Sequence, residues 1–330
     1  MKNILVTGGA GYIGSHTVRE LRDAGHTVWV YDNLSEGHKE ALVPSIIAED
    51  HFIQNDINDA ATLDNFFSKN KIDVVMHFCA HAYVGESVVN PEKYYKNNVA
   101  ATLNLLGVMK QHNVNRFIFS SSCATYGEPK YIPIDENHPQ DPISPYGETK
   151  YFVERILKSY SKAYGLNFAA LRYFNAAGAH PDGSIGESHR IETHLIPLVL
   201  KTLTGEKKDI IVFGSDYETA DGTCIRDYIH VCDLAAAHRL AMEYICSTQH
   251  DALINLGTGS GVSVKEVISI CEKVTGKKVP VVVQGRRVGD PAVLTANSSM
   301  AERLLGFKPA HPDIHDIIKT AWYWEQHRRF

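Results

Sequence analysis

Tyr146 and Lys150 stand four residues apart in Tyr146-Gly147-Glu148-Thr149-Lys150, behind Ser144-Pro145, a start signal that opens a helix with proline at its first position. Helical spacing places the phenol and the ammonium on one face, in line with Val153 and Leu157, so both point inward. A fixed cation beside a phenol lowers its pKa from about 10 toward neutrality. Such a group can take a hydroxyl proton as a general base. Ser122, on the loop after a strand at residues 117–120, is placed to hydrogen-bond the same reacting oxygen. Core packing of the tyrosine beside a snorkelling lysine is the other reading of this pair taken alone.

A second constellation is Gly8-Gly9-Ala10-Gly11-Tyr12-Ile13-Gly14. It lies between a strand at residues 4–7 and a helix that carries Ile13, Thr17, Val18, Leu21 and Ala24 at helical spacing, with Gly25 at its C-cap. Glycines at this spacing let the chain turn sharply and approach a pyrophosphate, which the free N–H groups and dipole of the helix start attract. Asp32 ends the next strand, at residues 27–31. A carboxylate there accepts from both adenosine ribose hydroxyls and repels a 2′-phosphate, which selects NAD over NADP. Asp56-Ile57 follows a third strand and suits either the flank of an adenine or a turn before a helix.

These groups need a scaffold, and the chain supplies alternating strands and helices. Further strands at 74–78, 117–120 and 168–171, with a helix opened by Asn90-Pro91 that turns Val99, Leu103 and Leu106 inward, predict an α/β fold. Its expected form is a Rossmann-type doubly wound parallel sheet over residues 1–175 that binds NAD, with a smaller C-terminal α/β substrate lobe over 176–330. Some segments of the second part are expected to cross back to the first. The loops at 178–193, 213–226 and 284–296 suit a lobe that grips a substrate.

The 330 residues make roughly two domains at about 150 each. With 44% hydrophobic and 22% charged residues they describe a folded body, excluding disorder. Thirty-three Lys and Arg against 38 Asp and Glu, a net charge of -5, exclude a nucleic-acid backbone footprint. Six cysteines without a Cys-x-x-Cys pair argue against a zinc ribbon and a disulfide framework. A short opening apolar run and the lack of any stretch of about 18 apolar residues predict a cytoplasmic protein without a membrane anchor. Among the 17 histidines, His77 with His81 and His189 with His194 invite a metal reading. No carboxylate completes a familiar ligand set around them, and no metal is expected.

Taken together, the glycine turn, Asp32-Asn33-Leu34, His77-Phe78, Val84-Gly85-Glu86-Ser87, Asn97-Asn98, Ser120-Ser121-Ser122, Tyr146 to Lys150, Arg172 to Gly178, Asp221-Gly222-Thr223, Arg226 to His230 and Arg286-Arg287-Val288-Gly289-Asp290 resemble the UDP-glucose 4-epimerases, within the extended short-chain dehydrogenase/reductase family. The resemblance spans nearly the whole chain. It implies NAD-mediated oxidation of the sugar at C4 and re-reduction of a rotated 4-keto sugar, interconverting UDP-galactose and UDP-glucose. Ser122, Tyr146 and Lys150 are then catalytic. The implied cofactor set is Gly8, Gly11, Tyr12, Ile13, Gly14, Asp32, Asn33, Asp56, Ile57, Phe78, Ala80, Asn98, Lys150 and Tyr173. Ser122, Tyr146, Asn175, His194, Leu195, Arg226, Arg287, Asp290 and Leu294 form the implied substrate set.

Three positions depart from that family's pattern. Ala82 replaces a lysine that helps hold the cofactor in many relatives, and His194-Leu195 replaces an Asn-Leu pair. Leu294 is smaller than the tyrosine of strict glucose/galactose enzymes, which opens the pocket to UDP-N-acetylglucosamine. A nucleotide-sugar dehydratase or decarboxylase would need an acid beside Ser122, whereas Cys123-Ala124-Thr125-Tyr126-Gly127 holds none before Glu128. A pentose-nucleotide 4-epimerase needs the same catalytic set and stays open. A non-catalytic NAD sensor has no use for a tuned phenol. The resemblance also implies a homodimer, paired through the two proline-started helices with Tyr94, Tyr95, Leu105, Met109, Phe152, Ile156 and Tyr160 as their apolar stripes.

Overall fold

The computed structural model describes residues 1–287 and 289–330. The chain begins with β1 (Asn3–Thr7), α1 (Tyr12–Asp23), β2 (Thr27–Asp32), β3 (Phe52–Gln54), α2 (Ala60–Lys69), β4 (Val74–His77), α3 (Val84–Val89), α4 (Pro91–Tyr94), α5 (Ala101–Gln111), β5 (Arg116–Ser122), α6 (Pro145–Tyr164) and β6 (Asn167–Tyr173). It continues with β7 (Asn175–Ala177), α7 (Leu195–Thr204), β8 (Ile210–Phe213), β9 (Ile225–His230), α8 (Val231–Thr248), β10 (Ala252–Leu256), β11 (Gly261–Ser263), α9 (Val264–Thr275), β12 (Val281–Gln284), β13 (Val293–Leu294), α10 (Ser299–Leu305) and α11 (Ile314–Gln326).

Seven strands form one parallel sheet in the order β10-β6-β5-β4-β1-β2-β3. Successive residues of a strand face opposite sides, and here both sides are apolar. Ile4 and Val6 of β1 join Val18 and Leu21 of α1, Leu234 and Ala241 of α8 and Leu305 of α10 in one core. Leu5, with Phe117 and Phe119 of β5, packs on Phe66 of α2, Leu105 of α5 and Val153 and Leu157 of α6 in the other. Burial on both faces is what a parallel sheet requires, and it explains the near-continuous apolar runs of its strands. The large sheet is not finished by the first half of the chain: β10 pairs with β6, Ala252 opposite Ala169, and α8 packs on α1.

In the smaller lobe β9 is central, flanked by β11 and β13 and extended by β7, while β8 pairs with β12. Helices α7, α9 and α11 enclose its core around Val199, Val267 and Ile318. No helix among the described residues is long and apolar enough to cross a membrane.

Three local expectations are corrected. Strand β5 runs on to Ser122, which is therefore its last residue and lies opposite Tyr173 of β6. Asn90 makes no side-chain cap, whereas Ser144 does, accepting from the Gly147 N–H at 3.2 Å. Between α4 and α5 the helix widens into a π turn, Tyr95–Ala100. That extra residue rotates the face that follows, so Leu105, Leu106 and Met109 are buried while Leu103, expected inward, is 39% exposed. Tyr94, Leu105 and Met109 belong to this chain's own interior and are not free for pairing.

Candidate active site

The turn after β1 is shaped by two glycines that nothing else can replace. Gly8 has φ +74°, and a Cβ there would lie 2.6 Å from the Cys79 nitrogen. A Cβ on Gly14 would lie 2.2 Å from the Gly8 carbonyl oxygen. Gly11 differs, since its Cβ would meet only that carbonyl, at 3.4 Å. It is also the N-cap of α1, with no side-chain cap and no acidic residue in the first turn, so the helix start is left ready for an anion. Asp32, at the end of β2, accepts from the Ala10 N–H at 2.9 Å and the Leu34 N–H at 2.8 Å. Burial raises its pKa, and the two amides restrain that rise.

A small open cradle, an uncapped helix start and a fixed carboxylate fit a dinucleotide. Asn33 extends the rim, donating to Asp56 at 2.7 Å. Burial opposes the charge on Asp56, but bonds from Asn58 and Asn33 outweigh it and hold that carboxyl below its usual range. Ile57 points into the core beside Tyr31, leaving Asp56 as the side chain on this flank. Tyr12 donates to the Gly178 carbonyl at 2.6 Å, and Ile13 leans on the core beneath α1. Phe78 packs on His238 with ring centroids 4.7 Å apart, next to the partly buried Ala80.

Asn98 sits in the π turn and is buried. Its amide group bridges the His81 main chain (N–H at 2.9 Å, carbonyl at 3.0 Å) and the Thr149 hydroxyl at 3.1 Å. The π turn aims it there, locking the loop after β4 onto α6.

Tyr146, Lys150, Val153 and Leu157 share the buried face of α6. The Lys150 ammonium donates to the Ser120 carbonyl at 2.6 Å and lies 5.0 Å from the centre of the Phe119 ring and 5.8 Å from that of Tyr146. Tyr173 shares a short hydrogen bond with the Ser120 hydroxyl. Burial lowers the Lys150 pKa to about 7. Burial also pushes the Tyr146 phenol up to about 12, against a downward pull from Ser122. This corrects the expected direction for the tyrosine: in the chain alone desolvation outweighs the Ser122 hydrogen bond, and Lys150 is not among the groups that pull the phenol down.

Beneath this cluster sits a network that the spacing argument missed. Arg172 of β6 donates to both carboxylate oxygens of Glu154, at 2.8 and 2.6 Å, and Ser121 donates to Glu154 at 2.6 Å. The ion pair is almost wholly buried and bolts α6 to the sheet. The Arg172-to-Gly178 motif contained its signal.

Among the residues expected at the substrate, Arg226 of β9 pairs with Asp290, and Leu294 of β13 lies in register with Arg226. Leu294 packs beside Tyr126, Ile134 and Phe174. Asn175 donates to the Asp227 carbonyl at 2.9 Å. Arg287 is exposed, with its guanidinium 4.3 Å from the Phe213 ring centre, and Val288 of the same motif lies outside the described residues. Asp227 was also missed. Its buried carboxylate gathers the N–H groups of Thr258 at 2.8 Å and of Gly259 and Ala296 at 3.0 Å, tying β9 to the neighbouring loops.

His194 is not among those groups, and Leu195, at the start of α7, packs into the small-lobe core. The His194 ring meets Glu187 at 2.7 Å and Glu192 at 3.1 Å, with His189 alongside. The pairing of His189 with His194 therefore does have carboxylates, contrary to expectation. Burial opposes protonation of both rings, but the two glutamates raise His189 to about 9 and His194 to about 10. His77 is an ordinary hydrogen-bonded histidine, held between Thr7 at 2.7 Å and Thr102 at 2.8 Å.

Residues 4–257 match the NAD dependent epimerase/dehydratase family. The chain is 50% identical over 323 residues to a UDP-glucose 4-epimerase of Halalkalibacterium halodurans, covering 98% of this chain and 95% of the relative. Its fold superposes on UDP-glucose 4-epimerase from Brucella ovis in complex with NAD, with a TM-score of 0.94, 48% identity and coverage of 98% and 99% of the two chains. It superposes likewise on the enzyme from Bifidobacterium longum in complex with NAD+ and UDP, with a TM-score of 0.92, 41% identity and coverage of 99% and 98%.

Proposed function

The chain belongs to the NAD-dependent epimerase/dehydratase family, and we propose on that premise that Ser122, Tyr146 and Lys150 perform the proton transfer at C4 of a UDP-hexose. The reaction is the NAD-mediated interconversion of UDP-galactose and UDP-glucose at that carbon. Bound NAD supplies the reversible oxidation of C4. The glycine turn and Asp32 would hold its adenosine half, with Lys150 and Tyr173 bordering the nicotinamide end.

The convergence of Ser122, Tyr146 and Lys150 in one buried cluster carries this reading. Tyr146 takes the proton of the sugar 4-hydroxyl and later returns it, while the Ser122 hydroxyl orients the same oxygen. Lys150, when charged, stabilises the phenolate. Asn175, Arg226, Arg287 and Asp290 hold the UDP end, Arg226 through the planar donor fork it also shows to Asp290. Anchoring the nucleotide leaves the sugar free to turn about its diphosphate linkage between the two proton transfers. The residue after Ser122 is Cys123, whose thiol burial pushes up to about 12, so an acid for dehydration is missing at that place.

Proton NMR of UDP-galactose incubated with the purified protein is expected to show UDP-glucose rising to a constant ratio; no conversion with NAD supplied would overturn the reading. With UDP-N-acetylglucosamine as substrate, conversion is expected as well, because Leu294 is smaller than the tyrosine of strict glucose/galactose enzymes. Absence of that conversion would restrict the enzyme to unacetylated sugars.

The protein is further read as a cytoplasmic homodimer. Its six free cysteines suit a reducing compartment. Leu103 of α5 and Phe152 of α6 are 39% and 41% exposed on the outer faces of the two helices, with Tyr95 beside Phe152. Light scattering at micromolar concentration is expected to give twice the chain mass, and a monomer mass counts against the pairing.

A further inference from the structure

Glu187, His189, Glu192 and His194 each turn one ligand atom into a common space, with all four atoms within 4.8 Å of one another. The His194 Nδ1 lies 2.7 Å from Glu187 Oε1 and 3.1 Å from Glu192 Oε1, and the His189 Nδ1 lies 3.1 Å from Glu187 Oε1 and 3.5 Å from Glu192 Oε2. A tetrahedral shell with bonds of about 2.0–2.1 Å separates neighbouring ligand atoms by roughly 3.3 Å. With Oε2 as the Glu192 ligand atom, the edges of 2.7, 3.1 and 3.5 Å within this set bracket that value.

Their directions matter as much as their separations. Glu187 Oε1 and His189 Nδ1 are both buried without a hydrogen-bond partner despite these short approaches, whereas the His194 Nδ1 bonds Glu192 Oε1 at 3.1 Å. Glu187 is 7% exposed, so water does not satisfy it. The surroundings hold the ligands in place. The Trp324 indole N–H of α11 donates to the Glu187 carbonyl at 2.8 Å. Glu192 Oε1 accepts from the Thr193 and His194 amides at 2.7 Å each and also meets the His194 ring at 3.1 Å, so Oε2 is the oxygen available to an ion. The His189 ring is gripped edge-on by Tyr12 at 6.3 Å and Tyr83 at 6.2 Å.

We infer that Glu187, His189, Glu192 and His194 form a structural site for one divalent transition-metal ion of the zinc class. Two imidazoles and two carboxylates are ligands of the right hardness for such an ion, and two carboxylates neutralise its charge. The site closes the loop between β7 and α7 against the tyrosine of the glycine turn. The ion thereby joins the small lobe to the wall of the cofactor cradle without touching the reacting carbon.

The test starts from the purified full-length protein, stripped with a chelator and titrated with Zn2+ against a chromophoric competitor, then separately with Co2+ while visible absorption is recorded. One equivalent of each metal per chain, tetrahedral Co2+ bands and a higher Tm on metal addition are expected. His189→Gln and Glu192→Gln, each checked for native circular dichroism, should weaken Zn2+ by more than about 100-fold, since even groups behind the ligands typically cost 10- to 100-fold. Failure of the unsubstituted protein to compete for Zn2+ overturns the inference. So does full binding by both variants, which would put the ion elsewhere.

Discussion

Tyr146→Phe is expected to lower kcat for C4 epimerisation by roughly 10²- to 10⁴-fold, the range a positioned general base contributes, while NAD stays in place. The substitution removes one oxygen from a side chain that is 9% exposed and keeps the ring, so folding should not register it. Steady-state rates with UDP-galactose, set beside the NAD content of the same preparation, read the two effects apart. Activity within a few-fold of the parent chain would mean that another group moves the proton. Parallel loss of activity and cofactor would mean that the phenol serves binding.

Lys150→Met is expected to have two large effects, one on activity and one on the pH dependence of stability. Activity should fall with the loss of the cation, whereas the NAD-stripped protein should lose a pH dependence that Lys150 imposes. Its folded pKa is lowered to about 7, against about 10.4 for an unfolded lysine. Below about pH 7 both states hold the proton and the burial penalty is complete. Between about 7 and 10.4 the unfolded chain holds a proton that the folded chain has released, so stability rises with pH, by on the order of a few kcal/mol across that window. Urea unfolding at pH 7 and pH 9.5 should show this rise in the parent and not in the variant. An equal slope in both would show that Lys150 is not its source.

The same two residues mark what could be read from the sequence. Tyr146 and Lys150 were legible because a helix converts a spacing of four into a shared face, and the prolines and glycines marked where helix and turn begin. Six of the seven parallel strands followed from the same alternation of apolar runs, and β10 did not. The direction of the Tyr146 shift was not legible, since it depends on how many apolar groups close over the phenol, and those come from several strands. Leu103 was misplaced by one π turn, a feature without a sequence period. Arg226 and Asp290 meet across 64 residues, and Glu187 reaches its buttress Trp324 across 137. Such contacts arise from loop closure, which leaves no periodic trace. The Glu187-x-His189-x-x-Glu192-x-His194 run was present throughout, but only the folded loop gives its four side chains a common centre.

The pairing of β10 with β6 also sets an order on the chain's synthesis. Strand β6 ends at Tyr173, yet its neighbour β10 starts only at Ala252, so a ribosome adding about 5–20 residues per second leaves that edge open for several seconds. During this interval the backbone N–H and C=O groups of β6 face outward, and α1 lacks the α8 surface that will cover it. The nascent chain therefore passes through a stage with an open, apolar sheet edge. The large sheet is closed only after β7, α7, β8 and β9 of the small lobe have been made.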